Sequence, residues 1–263
     1  MLHVTDMMGR SISLSDFPKR IISLVPSQTE LLVDLGLRDR LVGVTKFCVH
    51  PAGLKKSCTL VGGTKQYRME QIQALAPDLI IGNKEENERE GIQALAEKYP
   101  VWMSDIVTLE DSFRMMQGIG AVTGAEERAE ALVTQLRAQR LQWPRFSGRV
   151  AYFIWRNPHM VAGRGTFIHE MLTELGFENV IQQERYPEVQ LPELKALAPE
   201  YIFLSSEPFP FKEKHVEEFR FLAPGAKVII VDGELFSWYG SRLLHARDYF
   251  TGIFSESLQA SVK

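Results

Sequence analysis

Ala74-Leu-Ala-Pro-Asp-Leu-Ile80 returns in the second half of the chain as Ala196-Leu-Ala-Pro-Glu-Tyr-Ile202. In each copy a short helical segment stops at proline and an apolar run follows, which reads as helix, sharp stop and buried strand. A second pair keeps the same order: Leu32-Val-Asp-Leu-Gly-Leu37 and Leu172-Thr-Glu-Leu-Gly-Phe177, each closing a helix on glycine. Two matches in register indicate a duplicated lobe.

Between the copies lies Ala125 to Gln142, AEERAEALVTQLRAQRLQ, with neither Gly nor Pro. Ala129, Leu132, Val133 and Leu136 fall at i, i+3, i+4 and i+7, the period of an amphipathic helix. At about 1.5 Å per residue it would be roughly 27 Å long, enough to join two lobes as a strut. The expected organisation is therefore an N-terminal α/β lobe over 1–124, a connecting helix over 125–142 and a C-terminal α/β lobe over 143–263.

The rest of the chain fits this plan. Buried-type strands are expected within Arg20–Pro26 and over Leu41–Thr45, Leu79–Gly82, Val101–Met103, Arg149–Trp155, Tyr201–Ser205 and Lys227–Val231. Helices are expected from Ser27 to Gly36, over Met69–Ala76, Glu86–Lys98 and Thr108–Val122, over Thr166–Leu175 and Leu191–Leu197, and from Ser241 to about Phe250 before a weak tail, Ser255–Lys263. Ser27-Gln-Thr-Glu30 fits a capping box. Strands alternating with helices imply parallel sheets, hence an α/β class with two similar lobes, one backbone helix and a ligand cleft between the lobes.

Composition narrows the function. The 263 residues are 45% hydrophobic, ample for real cores, and 30 basic against 33 acidic residues leave a net charge of −3 with no basic track for nucleic acid. No apolar stretch reaches the length of a membrane span. No signal-peptide segment opens the chain as written, so the expected location is periplasmic or extracytoplasmic if a leader precedes this stretch and cytoplasmic if Met1 is the native start. Cys48 and Cys58, the only cysteines, form neither a disulfide framework nor a CxxC site. No GxSxG, Walker or post-strand GxGxxG motif is present, which favours a binder over an enzyme.

In open α/β sheets ligands sit outside the carboxyl ends of the strands, so the loops after Val25, Thr45, Ile81, Trp155, Ser205 and Val231 are the candidate ligand surface. Ser27 and Gln28 stand at a helix start, where anion binding and simple capping are both open. Lys46-Phe47-Cys48-Val49-His50 and Gly62-Gly63-Thr64-Lys65 occupy a long polar loop. Cys48 and His50, with His159 in the other half, are candidate metal ligands, set against a packed thiol and surface histidines. Asn83 opens a polar loop, and Glu207 lies just past Ser205. Trp155 and Arg156 offer a flat ring and a fixed cation, or a core Trp with a rim Arg. Arg164 precedes a helix, and the segment from Asp232 to Arg242 carries Phe236, Trp238 and Tyr239, an aromatic wall or lid.

Val4-Thr-Asp-Met-Met-Gly-Arg10, Pro18-Lys-Arg-Ile-Ile-Ser-Leu-Val-Pro-Ser27, Val61-Gly-Gly63, Met69-Glu70, Leu75-Ala-Pro-Asp-Leu-Ile80 and Gly240-Ser-Arg242 together give a text that resembles the substrate-binding proteins of ABC importers for cobalamin, haem and ferric siderophores. The resemblance implies two lobes bridged by a rigid helix, a non-catalytic monomer that requires no cofactor, and a cobalt- or iron-containing chelate as ligand. It also implies a membrane permease and its ATPase as partners. Arg156, Arg164 and Arg242 would then face ligand anions while Phe47, Trp155, Trp238 and Tyr239 stack on its rings. Glu70 matches the first permease-docking acid of the cobalamin binders, and Glu193 stands one residue from the second. The alternative is a cytosolic two-lobed carrier or sensor for a metal or metal chelate.

Overall fold

The computed structural model describes residues 1–259, and its chain divides into two compact units. One comprises Met1–Ile106, Glu110–Ala138 and Tyr239–Arg242; the other comprises Val107–Leu109, Gln139–Trp238 and, of the described residues, 243–259.

The first unit opens with an antiparallel hairpin of β1 (Leu2–Thr5) and β2 (Ser11–Leu14), which the sequence patterning does not announce. Then follow β3 (Ile21–Ser23), α1 (Pro26–Asp34), β4 (Leu41–Val44), β5 (Thr59–Leu60), α2 (Met69–Leu75), β6 (Leu79–Asn83), α3 (Arg89–Ala96) and β7 (Val101–Ser104). The five later strands form one parallel sheet in the order β5-β4-β3-β6-β7. Strands β3, β6 and β7 are buried along their whole length, as parallel strands covered on both faces must be. Ile22, Leu24 and Ile80 from the sheet pack with Ile72 of α2 and with Ile92 and Leu95 of α3.

After β7 the chain forms α4 (Leu109–Thr123) and then α5 (Glu126–Arg140), which takes up most of the expected strut. Ala129, Val133 and Leu136 are buried on one face of α5, and its 15 residues span roughly 22 Å.

The second unit contains β8 (Arg149–Trp155), β9 (Met160–Val161), α6 (Phe167–Glu174), β10 (Glu178–Asn179), α7 (Leu191–Leu197), β11 (Tyr201–Ser205), α8 (Glu213–Leu222), β12 (Lys227–Val231), α9 (Gly233–Ser237) and α10 (Ala246–Gln259). Strands β10-β8-β11-β12 run parallel in that order, and β9 adds antiparallel to β8. Phe153, Ile202 and Leu204 of the sheet pack with Val216 and Phe219 of α8. Ser241–His245 is a 3-10 turn rather than the start of the last helix, and α10 continues through the expected tail to Gln259. Buried Phe254 explains this: its ring stacks on Phe203 and meets Phe177, both at 5.3 Å. The remainder of the expected tail, 260–263, lies outside the described residues.

The duplicated text produces duplicated geometry. Ala76 and Ala198 both adopt the left-handed conformation, φ 42° and 44°, ending α2 and α7 one residue before proline. That conformation costs an alanine about 1 kcal/mol, and each copy accepts the cost to turn the chain into its strand. Likewise Gly36 and Gly176 have φ of 74° and 85°. Leu37 N–H reaches the Leu32 carbonyl and Phe177 N–H the Leu172 carbonyl, both at 2.9 Å, a Schellman closure in each unit.

The capping box expected at Ser27–Glu30 does not form. The helix begins on Pro26 with Val25 as its cap residue and no side-chain cap bond; proline at the first position is already set for the helix and has no N–H to satisfy. Glu30 instead pairs with Arg242. A true cap stands at Thr166, whose hydroxyl accepts from His169 N–H at 3.1 Å. Among the described residues no helix is long and apolar enough to cross a membrane.

Candidate functional site

In the first unit, the loops leaving β4 and β5 rise from the same, carboxyl, edge of the sheet because the two strands are parallel. Together they enclose a cavity of about 540 Å³ lined by Lys46, Phe47, Gly63, Lys65, Tyr67 and Arg68, among others. That volume is in the range of small-molecule sites. Its backbone is pinned from several sides. Lys46 N–H donates to the Gly62 carbonyl at 2.9 Å, Gly63 N–H to the Gln66 carbonyl at 2.8 Å, and Arg68 N–H to the Val61 carbonyl at 2.8 Å. Tyr67 Oη and Asn87 Nδ2 both donate to the Thr64 carbonyl, at 2.8 and 2.9 Å. Burial pushes the Tyr67 phenol up to about 12, so it stays a neutral donor at physiological pH.

Beside this loop lies a buried polar layer. Ser104 Oγ accepts from Gln28 Nε2 at 2.5 Å and from Asn83 Nδ2 at 3.0 Å. Asn83 Oδ1 turns the chain after β6 by accepting from Glu85 and Glu86 N–H, and Asn87 Oδ1 accepts from Asn83 N–H at 2.8 Å. The layer thus brings Gln28 and Asn83 together, through Ser104, and ties them by Asn87 to the cavity loop. Ser27, Gln28 and Asn83 are all buried, and the bonds named here hold the sheet edge in place.

Cys48 is fully buried, its Sγ 3.1 Å from Thr29 Oγ1 and 3.3 Å from Thr45 Oγ1, and burial pushes its thiol up from the usual range. A protonated thiol is a poor metal ligand. His50 is half-buried in the first unit, whereas His159 lies in the second, its ring packed on the edges of Phe153 and Phe219. Among the described residues no three His, Cys, Asp or Glu side chains gather as a metal site would require.

The segment Tyr239–Arg242 belongs to the first unit. Tyr239 is buried and donates from Oη to Glu86 Oε1 at 3.0 Å. Arg242 grips Glu30 with two bonds of 2.7 and 2.8 Å, each side chain only 13% exposed.

In the second unit Trp155, 39% exposed, donates from Nε1 to the Asn157 carbonyl and meets Phe209 edge-on at 5.7 Å. Arg156 is ion-paired with Glu218 at 2.8 Å, and Arg164 is hydrogen-bonded to Gln182. Trp238 is buried, and its Nε1 donates to Glu207 Oε1 at 2.8 Å, where Ser237 Oγ also donates at 3.0 Å. Thus Trp238 and Tyr239 expose little ring face, while Phe47 and Trp155 keep theirs.

The periplasmic binding protein family matches residues 21–220, most of the chain. The chain belongs to this family. A vitamin B12-binding protein of Pectobacterium carotovorum is 27% identical over 240 residues, covering 87% of this chain and 86% of the relative. An uncharacterised ABC transporter substrate-binding lipoprotein of Bacillus subtilis, YvrC, is 25% identical over 189 residues, which is 67% of this chain and 60% of that protein's length. The crystal structure of the periplasmic vitamin B12-binding protein BtuF of Vibrio cholerae superposes with a TM-score of 0.73 at 21% identity, covering 92% of this chain and 98% of that one. The mixed α/β fold with parallel sheets is therefore that of a periplasmic binding protein.

Within this family member, the residues that sequence reasoning passes over are Tyr67, Arg68, Asn87 and Ser104. A signal for Tyr67 exists only in three dimensions: its ring lies where a side chain on Gly91 would project, within 2.5 Å of the missing Cβ. Glu207 carries a different kind of signal. Burial, reinforced by Glu234 and Asp232, raises its carboxyl pKa despite the bonds from Ser237 and Trp238. A carboxyl that holds its proton more tightly folded than unfolded costs stability once pH rises above its unfolded value, about 4.3. Glu207→Gln keeps an acceptor for both donors and removes the charge. Thermal melts should show the variant equal to wild type near pH 4 and increasingly more stable as pH approaches 7; a constant difference across that range would contradict the burial argument.

Proposed function

We propose that this protein is the substrate-binding component of an ABC importer, taking up a metal chelate of the cobalamin, haem or ferric-siderophore class and delivering it to a permease. The observation that carries the reading is the preformed, aromatic-flanked cavity at the strand ends of a periplasmic binding protein fold. The vitamin B12-binding and ABC substrate-binding relatives support the ligand class and the transport role. Phe47 and Trp155, the exposed aromatics of the strand-end loops, are the ring-stacking groups in this reading.

Glu70, exposed in the first turn of α2, is the docking acid toward the permease. Glu193 already has a structural task, accepting the Gln190 N–H at 2.9 Å to start α7, while its exposed position leaves it open to a second contact.

The test is a tryptophan-fluorescence titration of the purified protein with cyanocobalamin, haemin, a ferric trihydroxamate and a ferric tris-catecholate. At least one should bind with a Kd at or below about 1 μM, and Trp155→Ala should weaken it. Charge reversal at Glu70 should leave that Kd unchanged and reduce capture by permease vesicles. Absence of binding by all four would remove the chelate reading.

A further inference from the structure

The cavity of the first unit is strongly one-signed. Lys46, Lys65 and Arg68 line it, and its lining contains no Asp or Glu. Among the described residues none of the three makes an ion pair. The three arginines that the sequence offers as anion receptors are differently placed: Arg156 and Arg242 are neutralised by Glu218 and Glu30, and Arg164 is bonded to Gln182. Three cationic heads without carboxylate partners therefore collect at the cavity, whereas Arg156 and Arg242 are already neutralised by Glu218 and Glu30.

Three further observations sharpen this. Lys46 Nζ lies over the Phe47 ring, 4.9 Å from its centroid, so a cation and a half-exposed aromatic sit together in the lining. Lys55 Nζ donates to the Lys46 carbonyl, which places a further positive charge beside the lining. Tyr67, the other ring of the lining, is held protonated by burial and contributes no negative charge. The loop backbone is fixed by its own bonds, so the three cationic residues stand at the cavity before a ligand arrives.

Resting on the chelate-binding reading above, we infer that the ligand is an anionic, ring-bearing metal chelate, one that presents carboxylates or catecholates carrying a net charge of about −2 to −3, rather than an uncharged chelate. An uncharged ligand would leave three cations partly desolvated with no compensating charge. A multiply charged anion pairs with them and is drawn in by their field over about a Debye length.

The experiment compares two ferric complexes with the same metal and six oxygen donors: a tris-catecholate, charge 3−, and a trihydroxamate, charge zero. With 0.1 M salt the tris-catecholate should bind at least about tenfold tighter, with the preference shrinking in 0.5 M salt. Lys65→Gln and Arg68→Gln should each weaken it about fivefold, a larger factor than either variant imposes on the trihydroxamate. Lys65→Arg, which keeps the charge, should retain the preference; circular-dichroism melts confirm that the exposed-site variants fold. Equal affinity for both complexes, tighter binding of the uncharged one or of cyanocobalamin, or an anionic preference that survives Lys65→Gln/Arg68→Gln overturns the charge assignment while leaving the chelate reading standing. No binding of any complex overturns both.

Discussion

Arg242→Ala should destabilise the protein by about 3 kcal/mol, seen as a lower urea midpoint and a thermal midpoint lower by roughly 5–10 °C. The reason lies in what is left behind. Arg242 and Glu30 are each 13% exposed and joined by two parallel bonds; removing the guanidinium strands the Glu30 carboxylate in a site with little water. The pair also fastens Tyr239–Arg242 to the first unit, beside the Tyr239–Glu86 bond. Arg242→Lys should recover less than half of the loss, because a single ammonium does not reproduce the bidentate fork. Glu30→Met/Arg242→Met should recover most of it, since removing both charges leaves neither unpaired. A double variant as unstable as Arg242→Ala would mean that the pair matters for packing rather than charge.

The same ion pair shows where sequence reading stops. Helix ends at Gly36, Pro77, Gly176 and Pro199 and the apolar strands β3, β6, β8 and β11 are written in local text, because proline, glycine and continuous apolar runs act within a few residues. Partners are not local. Glu30 read as a capping residue because Ser27 stands three positions before it, yet its partner lies 212 residues away. Arg156 finds Glu218 at a separation of 62. An unpaired-looking arginine in a sequence says nothing of the acid that a fold brings to it.

The sequence pattern does not announce helix α8, for a related reason. Its buried face is His215, Val216 and Phe219, and a histidine at a core position hides the apolar period; its Nδ1 in fact accepts the Lys212 N–H at 2.8 Å and starts the helix. Helix α9 is only five residues long and begins on glycine, capped by Asp232 accepting from Glu234 N–H. In the candidate site, Lys46, Phe47 and Lys65 were visible as a polar loop of suggestive composition. That Arg68 and Tyr67 complete its lining depends on how Gly62 folds the loop back on itself.

Gly62 carries the second large effect. Its φ is 117°, and a Cβ there would stand 2.2 Å from the Gln66 carbonyl oxygen, which is already bonded to Gly63 N–H. Gly62→Ala therefore meets two penalties: a conformation essentially reserved for glycine, worth roughly 1–3 kcal/mol, and a backbone clash that no side-chain rotation relieves. A total cost of about 3 kcal/mol or more is expected. Gly53→Ala is the matched control, with a positive φ of 84° but nothing within 4 Å of the added methyl, so about 1 kcal/mol is expected there. The two variants also separate stability from function. Relief of the Gly62 clash requires the Gln66 carbonyl to move, which breaks the Gly62–Tyr67 pairing and disperses Lys65 and Arg68. Under conditions where both variants are folded, Gly62→Ala should weaken chelate binding by about tenfold or more, whereas Gly53→Ala should leave it unchanged, because affinity here depends on cations held in place before the ligand arrives. If both variants bind alike, the loop assembles around its ligand and the preformed cavity is not what confers affinity.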